Sequence, residues 1–371
     1  MKNIKIWLIF LIQLSVISCF QNNNQKYKKT TIIGDIPNLP DGTIYLFKDN
    51  STNRIDSTKT IKGKFTIIHK WDTDEPVYIG IDHIDNKGIL RFFSFTTNAK
   101  YNGIDGWGTN IFLSDSTINL NGNLRYDTLI GVKLSSKMKP VTGPPLETGK
   151  QTKAFYSIDG DLFERISDKT FKIIKDKIKT YPYSYHLLYK IAENKNAFSP
   201  EQIDEFLKLF KDEITESKTF KNLSEYNKKR YHEKNASLPL LENVEGEKSA
   251  ILNSKYKKHL VIFWASWCGP CRKEIPLLKK IYSTKDESLE FISISIDQDN
   301  SEWKKALNEE KMDWAQFITN EKDLNYEKIQ MHFRLNSAIP YTVLIDNNYK
   351  ILKYNVGLSS EQELYNFINK K

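Results

Sequence analysis

The stretch Phe263-Trp264-Ala265-Ser266-Trp267-Cys268-Gly269-Pro270-Cys271-Arg272-Lys273-Glu274-Ile275-Pro276 decides the fold of the C-terminal part of this chain. The apolar run 259–265 reads as a buried strand, and the residues from Cys268 to about Lys285 read as a helix. That order puts Cys268 at a helix N-terminus, where unpaired N–H groups and the macrodipole favour a thiolate. Cys271 lies one turn further on and can reach the Cys268 sulfur. The pair can therefore hold a disulfide or a dithiol and pass between them by thiolate exchange. On this reading Cys268 is the exposed nucleophile and Cys271 the buried resolving thiol. A structural zinc site needs four ligands as a rule, and the chain offers this pair plus the isolated His259 and His332. No metal and no other cofactor is expected.

Working outward, strand and helix signals alternate from about residue 236. A second strand is expected at 289–296, a helix from Ser301, a short run at 314–319 and a helix at about 323–334. Strands 341–346 and 350–356 flank an Asn347-Asn348 turn, and Ser360 with Glu363 caps a last helix. The expected class for 236–371 is α/β.

The quoted motif closely resembles the thioredoxin-like proteins of the bacterial envelope, the TlpA and ResA type. The resemblance implies a thioredoxin fold with an extra strand-helix insertion, and thiol–disulfide oxidoreductase activity. It places Trp267 beside the nucleophile and Pro276 at the family's helix kink. It also makes Ile339-Pro340 the cis-proline loop that binds a substrate strand, so Trp267, Ile339 and Pro340 are the expected substrate-binding residues. Cytoplasmic thioredoxins carry a buried Asp where this chain has Ile262. Glu274 is the expected replacement in proton handling: it heads the stripe Glu274, Leu277, Leu278, Ile281, and burial there would suit it to proton exchange. Envelope reductases of the ResA type have a Glu at this position. The expected catalytic set is thus Cys268, Cys271 and Glu274.

Upstream the sequence changes character. Residues 30–140 read as all-β and sandwich-like, with short Ile, Val, Phe and Thr runs between turn signals, and with a hairpin expected about Gly63 across residues 55–67. This part resembles the small β domain of unassigned function that often precedes thioredoxin domains in envelope lipoproteins. A Pro- and Gly-rich break at 140–149 leads into a helical spacer, 150–235. There Ser199-Pro200-Glu201-Gln202 forms a capping box, and Ile203, Phe206, Leu207, Phe210 and Ile214 follow at helical spacing. The run Tyr181-Pro182-Tyr183-Ser184-Tyr185 reads as inter-helix packing.

The first eighteen residues read as a signal peptide: a basic head with Lys2 and Lys5, then a mostly apolar run, 6–18, shorter than the about 20 residues a spanning helix needs. Val16-Ile17-Ser18-Cys19 resembles a lipobox, which implies cleavage before Cys19 and its lipidation. Residues 19–29 would then be a lipidated tether. The remaining cysteines are Cys268 and Cys271 alone, which removes structural disulfides and a separate peroxidatic thiol from consideration.

Removing residues 1–18 takes the formal charge from +9 to +7, carried by Lys scattered among acids. That pattern is a solvated surface and not a nucleic-acid footprint. The expected partners are disulfide-containing envelope proteins, an unidentified membrane electron donor, and the membrane through lipid on Cys19. Phe20 after Cys19, in place of Asp, points to the outer membrane facing the periplasm. Two alternatives stay open here: a disulfide oxidase or isomerase, and a partner-binding lipoprotein scaffold with an accessory redox domain.

Overall fold

A computed structural model describes residues 29–49, 52–127, 134–233, 237–336, 338–357 and 360–369. The signal peptide, the lipobox and Cys19 lie outside the described residues.

In the N-terminal part, the strands Lys29–Asp35, Lys64–Lys70, Thr117–Asn121 and Leu146–Glu147 make one sheet. Gly42–Lys48, Tyr78–Asp85, Leu90–Thr96 and Met138–Thr142 lie in a second. Alternating burial along Lys29–Asp35 sends Ile32 inward, where it joins Ile67 and Ile118 of its own sheet and Ile44, Ile81 and Phe93 of the other in one core. The hairpin expected about Gly63 exists only as a turn. Lys62 and Gly63 have φ of 51° and 76°, and Ile61 bridges Lys64. Beyond that bridge the strands part: Arg54–Thr60 pairs with Gly42–Lys48, and Lys64–Lys70 pairs with Lys29–Asp35. The expected break at 140–149 is also partly strand. Pro140 sits within Met138–Thr142, parallel to Leu90–Thr96, and its carbonyl accepts from the Asp127 N–H.

The middle region packs the helices Asp168–Thr180, Tyr185–Glu193, Pro200–Leu207 and Lys218–Glu233 about Ile174, Leu187, Leu188, Ile203 and Phe206. Ser199 and Gln202 form the reciprocal capping box. The apolar stripe outlasts its helix, which ends at Leu207; Phe210 and Ile214 reach the same core from a turn and the 3-10 segment Asp212–Glu216. In the tyrosine run, Ser184 caps the next helix and Tyr185 is buried.

The C-terminal sheet has the strand order Lys248–Ser249, Leu241–Asn243, Ala315–Ile318, Leu289–Ser295, Lys258–Trp264, Tyr341–Asp346 and Ile351–Val356. Lys258–Trp264 runs parallel to Leu289–Ser295 and antiparallel to Tyr341–Asp346. Both faces are covered, so the central strands are buried almost throughout. Val261, Phe263 and Ile292 meet Ile329 and Phe333 on one face. Leu260, Ile262 and Phe291 meet Leu278, Ile281, Leu364 and Ile368 on the other. The hairpin pair Leu241–Asn243 and Lys248–Ser249 was not foreseen from the sequence. Asn196 and Lys229 of the helical region reach Leu335, Asn336 and Glu327.

Candidate active site

Lys258–Trp264 ends at the sheet's C-terminal edge, and the chain turns there into the helix Gly269–Thr284. Cys268 is the N-cap of that helix, in extended backbone, with Pro270 in the first turn. Its sulfur accepts the Cys271 N–H at 3.2 Å, a contact that would stabilise the thiolate once the pair is reduced. Cys268 and Cys271 form a disulfide with Cα atoms 5.2 Å apart.

Neither sulfur-bearing residue is open to solvent in this oxidised state: Cys268 is 4% exposed and Cys271 2%. The exposed nucleophile expected from the motif is therefore shielded here. Trp264, Ala265, Ile275, Trp303 and partly buried Ile339 pack in the same cluster as the pair. Trp267 is the open face of the motif, 66% exposed.

The loop opposite is set by the same sheet. Ile339-Pro340 is a cis peptide leading into Tyr341–Asp346. The Pro340 carbonyl accepts the Gly357 N–H at 3.0 Å. Ile339 packs in the cluster that holds the disulfide, Pro340 is buried, and Trp267 is the exposed residue directly before Cys268. Ile262 is 3% exposed and packs in the cluster that holds Leu278 of the redox helix. Glu274 is buried, 8% exposed, one turn beyond Cys271. A side chain added at Gly357 would approach its carboxylate to 3.8 Å, so Glu274 and the cis-proline loop share one neighbour. Pro276 sits inside the redox helix.

Two further features of the site lie outside the sequence motif. Asp297, 2% exposed, accepts from the Ser266 N–H at 2.9 Å, the Ser266 hydroxyl at 2.7 Å and the Ser295 hydroxyl at 2.6 Å. It ties the residue before Trp267 to the neighbouring strand end. The available signal was its place at the C-terminal edge of a predicted strand. Arg272 bonds Glu309 at 2.6 Å and Glu310 at 2.7 Å on the helix Asn300–Glu310. Between these parts lies a groove of about 410 Å³ lined by Ser266, Trp267, Arg272, Asp297, Glu302 and Lys305. The Arg272 pairs join residues almost forty apart, which no local pattern reveals.

A disulfide at a helix N-terminus, at the C-terminal end of a central strand of such a sheet and beside a cis-proline loop, defines a thioredoxin-like redox domain. Comparison with known proteins agrees. Residues 256–351 match the family model described as thioredoxin-like, and residues 30–128 match a domain of unknown function, DUF4369. The thioredoxin-like protein YneN of Bacillus subtilis is 27% identical over 126 residues, 33% of this chain and 71% of that one. The thiol-disulfide oxidoreductase ResA of Bacillus anthracis is 25% identical over 129 residues, 34% of this chain and 71% of its own. Among solved structures, the thioredoxin domain of a thiol-disulfide oxidoreductase from Bacteroides vulgatus is 28% identical. It covers 36% of this chain and 92% of its own, with a TM-score of 0.30. The C-terminal part of this chain is a thioredoxin-like domain whose homologues are thiol–disulfide oxidoreductases, and it follows a region that matches a domain of unknown function.

Proposed function

We propose that this chain is a membrane-anchored thiol–disulfide oxidoreductase that reduces disulfides of envelope proteins in the periplasm. The observation that carries the reading is the Cys268–Cys271 disulfide at the start of Gly269–Thr284, with Ile339 packed against it and Trp267 open beside it. In the dithiol state the Cys268 thiolate attacks a substrate disulfide and releases one substrate thiol. Cys271 then attacks the Cys268 sulfur of the mixed disulfide and releases the second. The pair ends oxidised, and a membrane electron donor returns it to the dithiol. Trp267, Ile339 and Pro340 hold the substrate strand by backbone pairing and contact.

Glu274 exchanges a proton with Cys271 during the second attack. Its burial one turn past that residue supports the role, and Ile262 leaves no acid on the strand position that cytoplasmic thioredoxins use. Gly269-Pro270 between the cysteines and Ile339 before Pro340 resemble the corresponding residues of reductants more than those of strong oxidants, which supports the reducing direction. Anchoring rests on Val16-Ile17-Ser18-Cys19, with lipid on Cys19 and the outer membrane as its site. Among the described residues no helix is long and apolar enough to cross a membrane.

Insulin reduction by the full chain tests the reading. Cys268→Ser is expected to bring it to background, and Cys271→Ser to accumulate mixed disulfides with envelope proteins. A reduction potential close to that of strong oxidants, about −120 mV, would reverse the direction. Glu274→Gln is expected to slow exchange by about tenfold and shift its pH profile. An unchanged profile removes Glu274 from the mechanism.

A further inference from the structure

Between the N-terminal sheets and the helical region lies a cavity of about 510 Å³ that takes no part in the disulfide chemistry. Its walls are aromatic. Tyr78 and Trp107 come from the sheet side, Phe155 and Phe163 from the helical side. Tyr78 meets Phe155 edge-on with centroids 5.8 Å apart, and the His186 ring stacks on Phe155 at 4.3 Å. Tyr78 Oη and His186 Nδ1 share a hydrogen bond of 2.7 Å. Burial, and then Lys190, push the His186 imidazole down to about 3, so it brings no positive charge at neutral pH. Gly160 leaves room for the wall: a Cβ there would come within 2.9 Å of the Trp107 ring.

The rim has the opposite sign to the chain. Four carboxylates, Asp49, Asp159, Glu164 and Glu193, face the single ammonium of Lys190, which leaves −3 in a protein of formal charge +9. Lys190 is held by Glu193 at 2.8 Å. Asp159 accepts from the Lys100 N–H and Glu164 from the Tyr101 hydroxyl, both neutral donors. Aromatic walls beneath a carboxylate rim are the chemistry that retains an organic cation.

We propose that this cavity binds a basic side chain of a polypeptide segment, arginine by preference. A planar guanidinium stacks on aromatic faces and reaches carboxylates through its fork of N–H donors, which an ammonium does less well. A zwitterionic lipid headgroup would bring its phosphate into the same acidic rim, where like charge repels it. The domain of unknown function and the helical region together thus hold a basic segment of another protein, separately from the cysteine pair.

The test is calorimetric titration of the full, oxidised chain with acetyl-Gly-Arg-Gly-amide, with the matching Leu peptide and with phosphocholine. The Arg peptide is expected to bind about tenfold tighter than either of the others. Asp49→Asn combined with Glu164→Gln, both at exposed positions, takes the lining from −3 to −1 and is expected to weaken the Arg peptide about fivefold or more. Trp107→Leu is expected to weaken it as well, with insulin reduction unchanged in all variants. Equal binding of the Arg and Leu peptides, or undiminished affinity in the charge variant, overturns the proposal. Phosphocholine binding as tightly as the Arg peptide overturns it in favour of a lipid headgroup.

Discussion

The sheet that carries the cysteines and the sheets that precede it bury their strands in different ways. Every residue of Leu289–Ser295 is buried, because helices cover both faces. Along Lys29–Asp35 buried and accessible residues alternate, because one face packs inward and the other looks out. In the C-terminal part the redox motif is one continuous segment at the C-terminal end of a central strand. In the N-terminal part the groups that lie together come from far apart, as in the parallel pairing of Thr31 with Thr117. One part carries its reacting cysteines in a single local segment and supports them by tertiary contacts; the other assembles its surfaces from distant segments throughout.

If the two parts are energetically separate, a core deletion in one should leave the other working. Phe93, 1% exposed and stacked near Phe95 at 6.0 Å, is the strongest lever. Phe93→Ala is expected to cost the N-terminal part about 4 kcal/mol in urea unfolding. The rate of insulin reduction should stay within about twofold, since hydrogen bonds that reach the C-terminal region among the described residues, such as Asn196 to Leu335 and Asn336 and Lys229 to Glu327, come from the helical middle. Loss of activity in step with unfolding would join the two parts into one cooperative unit.

The same contrast decides what could be read from the amino-acid order. The strand, turn and helix around Cys268, the hairpin 341–356 and the cap at Ser360 are set by residues within a few positions of one another, and each was legible. The Glu363 N–H does donate to the Ser360 hydroxyl. The turn at Gly63 was legible for the same reason. Sequence proximity favours a hairpin there, but the competing pairings with Gly42–Lys48 and Lys29–Asp35 prevail. Pro140 reads as a break, yet its missing N–H costs little in a strand whose ladder at that point uses its carbonyl. The short pair Leu241–Asn243 and Lys248–Ser249 has too few residues to show a period. The shielding of Cys268 depends on Trp303 and Ile339, and the brace at Asp297 depends on Ser266; both are tertiary contacts.

Acid should separate the parts again. His83 is fully buried, with Nε2 3.1 Å from the Thr60 hydroxyl. Burial, and then Arg91, push its imidazole down to about 4 from 6.5. The unfolded chain therefore takes up a proton before the folded one does. Stability from keeping His83 neutral is complete above pH 6.5 and is lost as pH falls toward 4. The loss should reach about 2–3 kcal/mol by pH 4.5, and His83→Gln should lack it. Urea unfolding of both proteins at pH 7 and 4.5 checks this. Parallel curves at the two pH values would show that His83 is not the sensor.

The smallest expected effect is the most informative about the groove beside Trp267. Arg272 is 38% exposed at its side chain, and its partners Glu309 and Glu310 are 48% and 17% exposed. Solvent screens such pairs, so Arg272→Ala should cost no more than about 1 kcal/mol. Its position gives it a second consequence. Arg272 is the residue after Cys271, and both carboxylates belong to Asn300–Glu310, whose Trp303 packs in the cluster with the disulfide. Cutting the pair loosens one wall of the groove while leaving the helix cap at Cys268 intact. Exchange with a small disulfide such as oxidised glutathione, which needs no groove, should keep its rate. Exchange with a folded protein disulfide should slow by about two- to fivefold. Equal slowing with both substrates would place the effect of Arg272 on the sulfur itself, through its charge, and not on the wall.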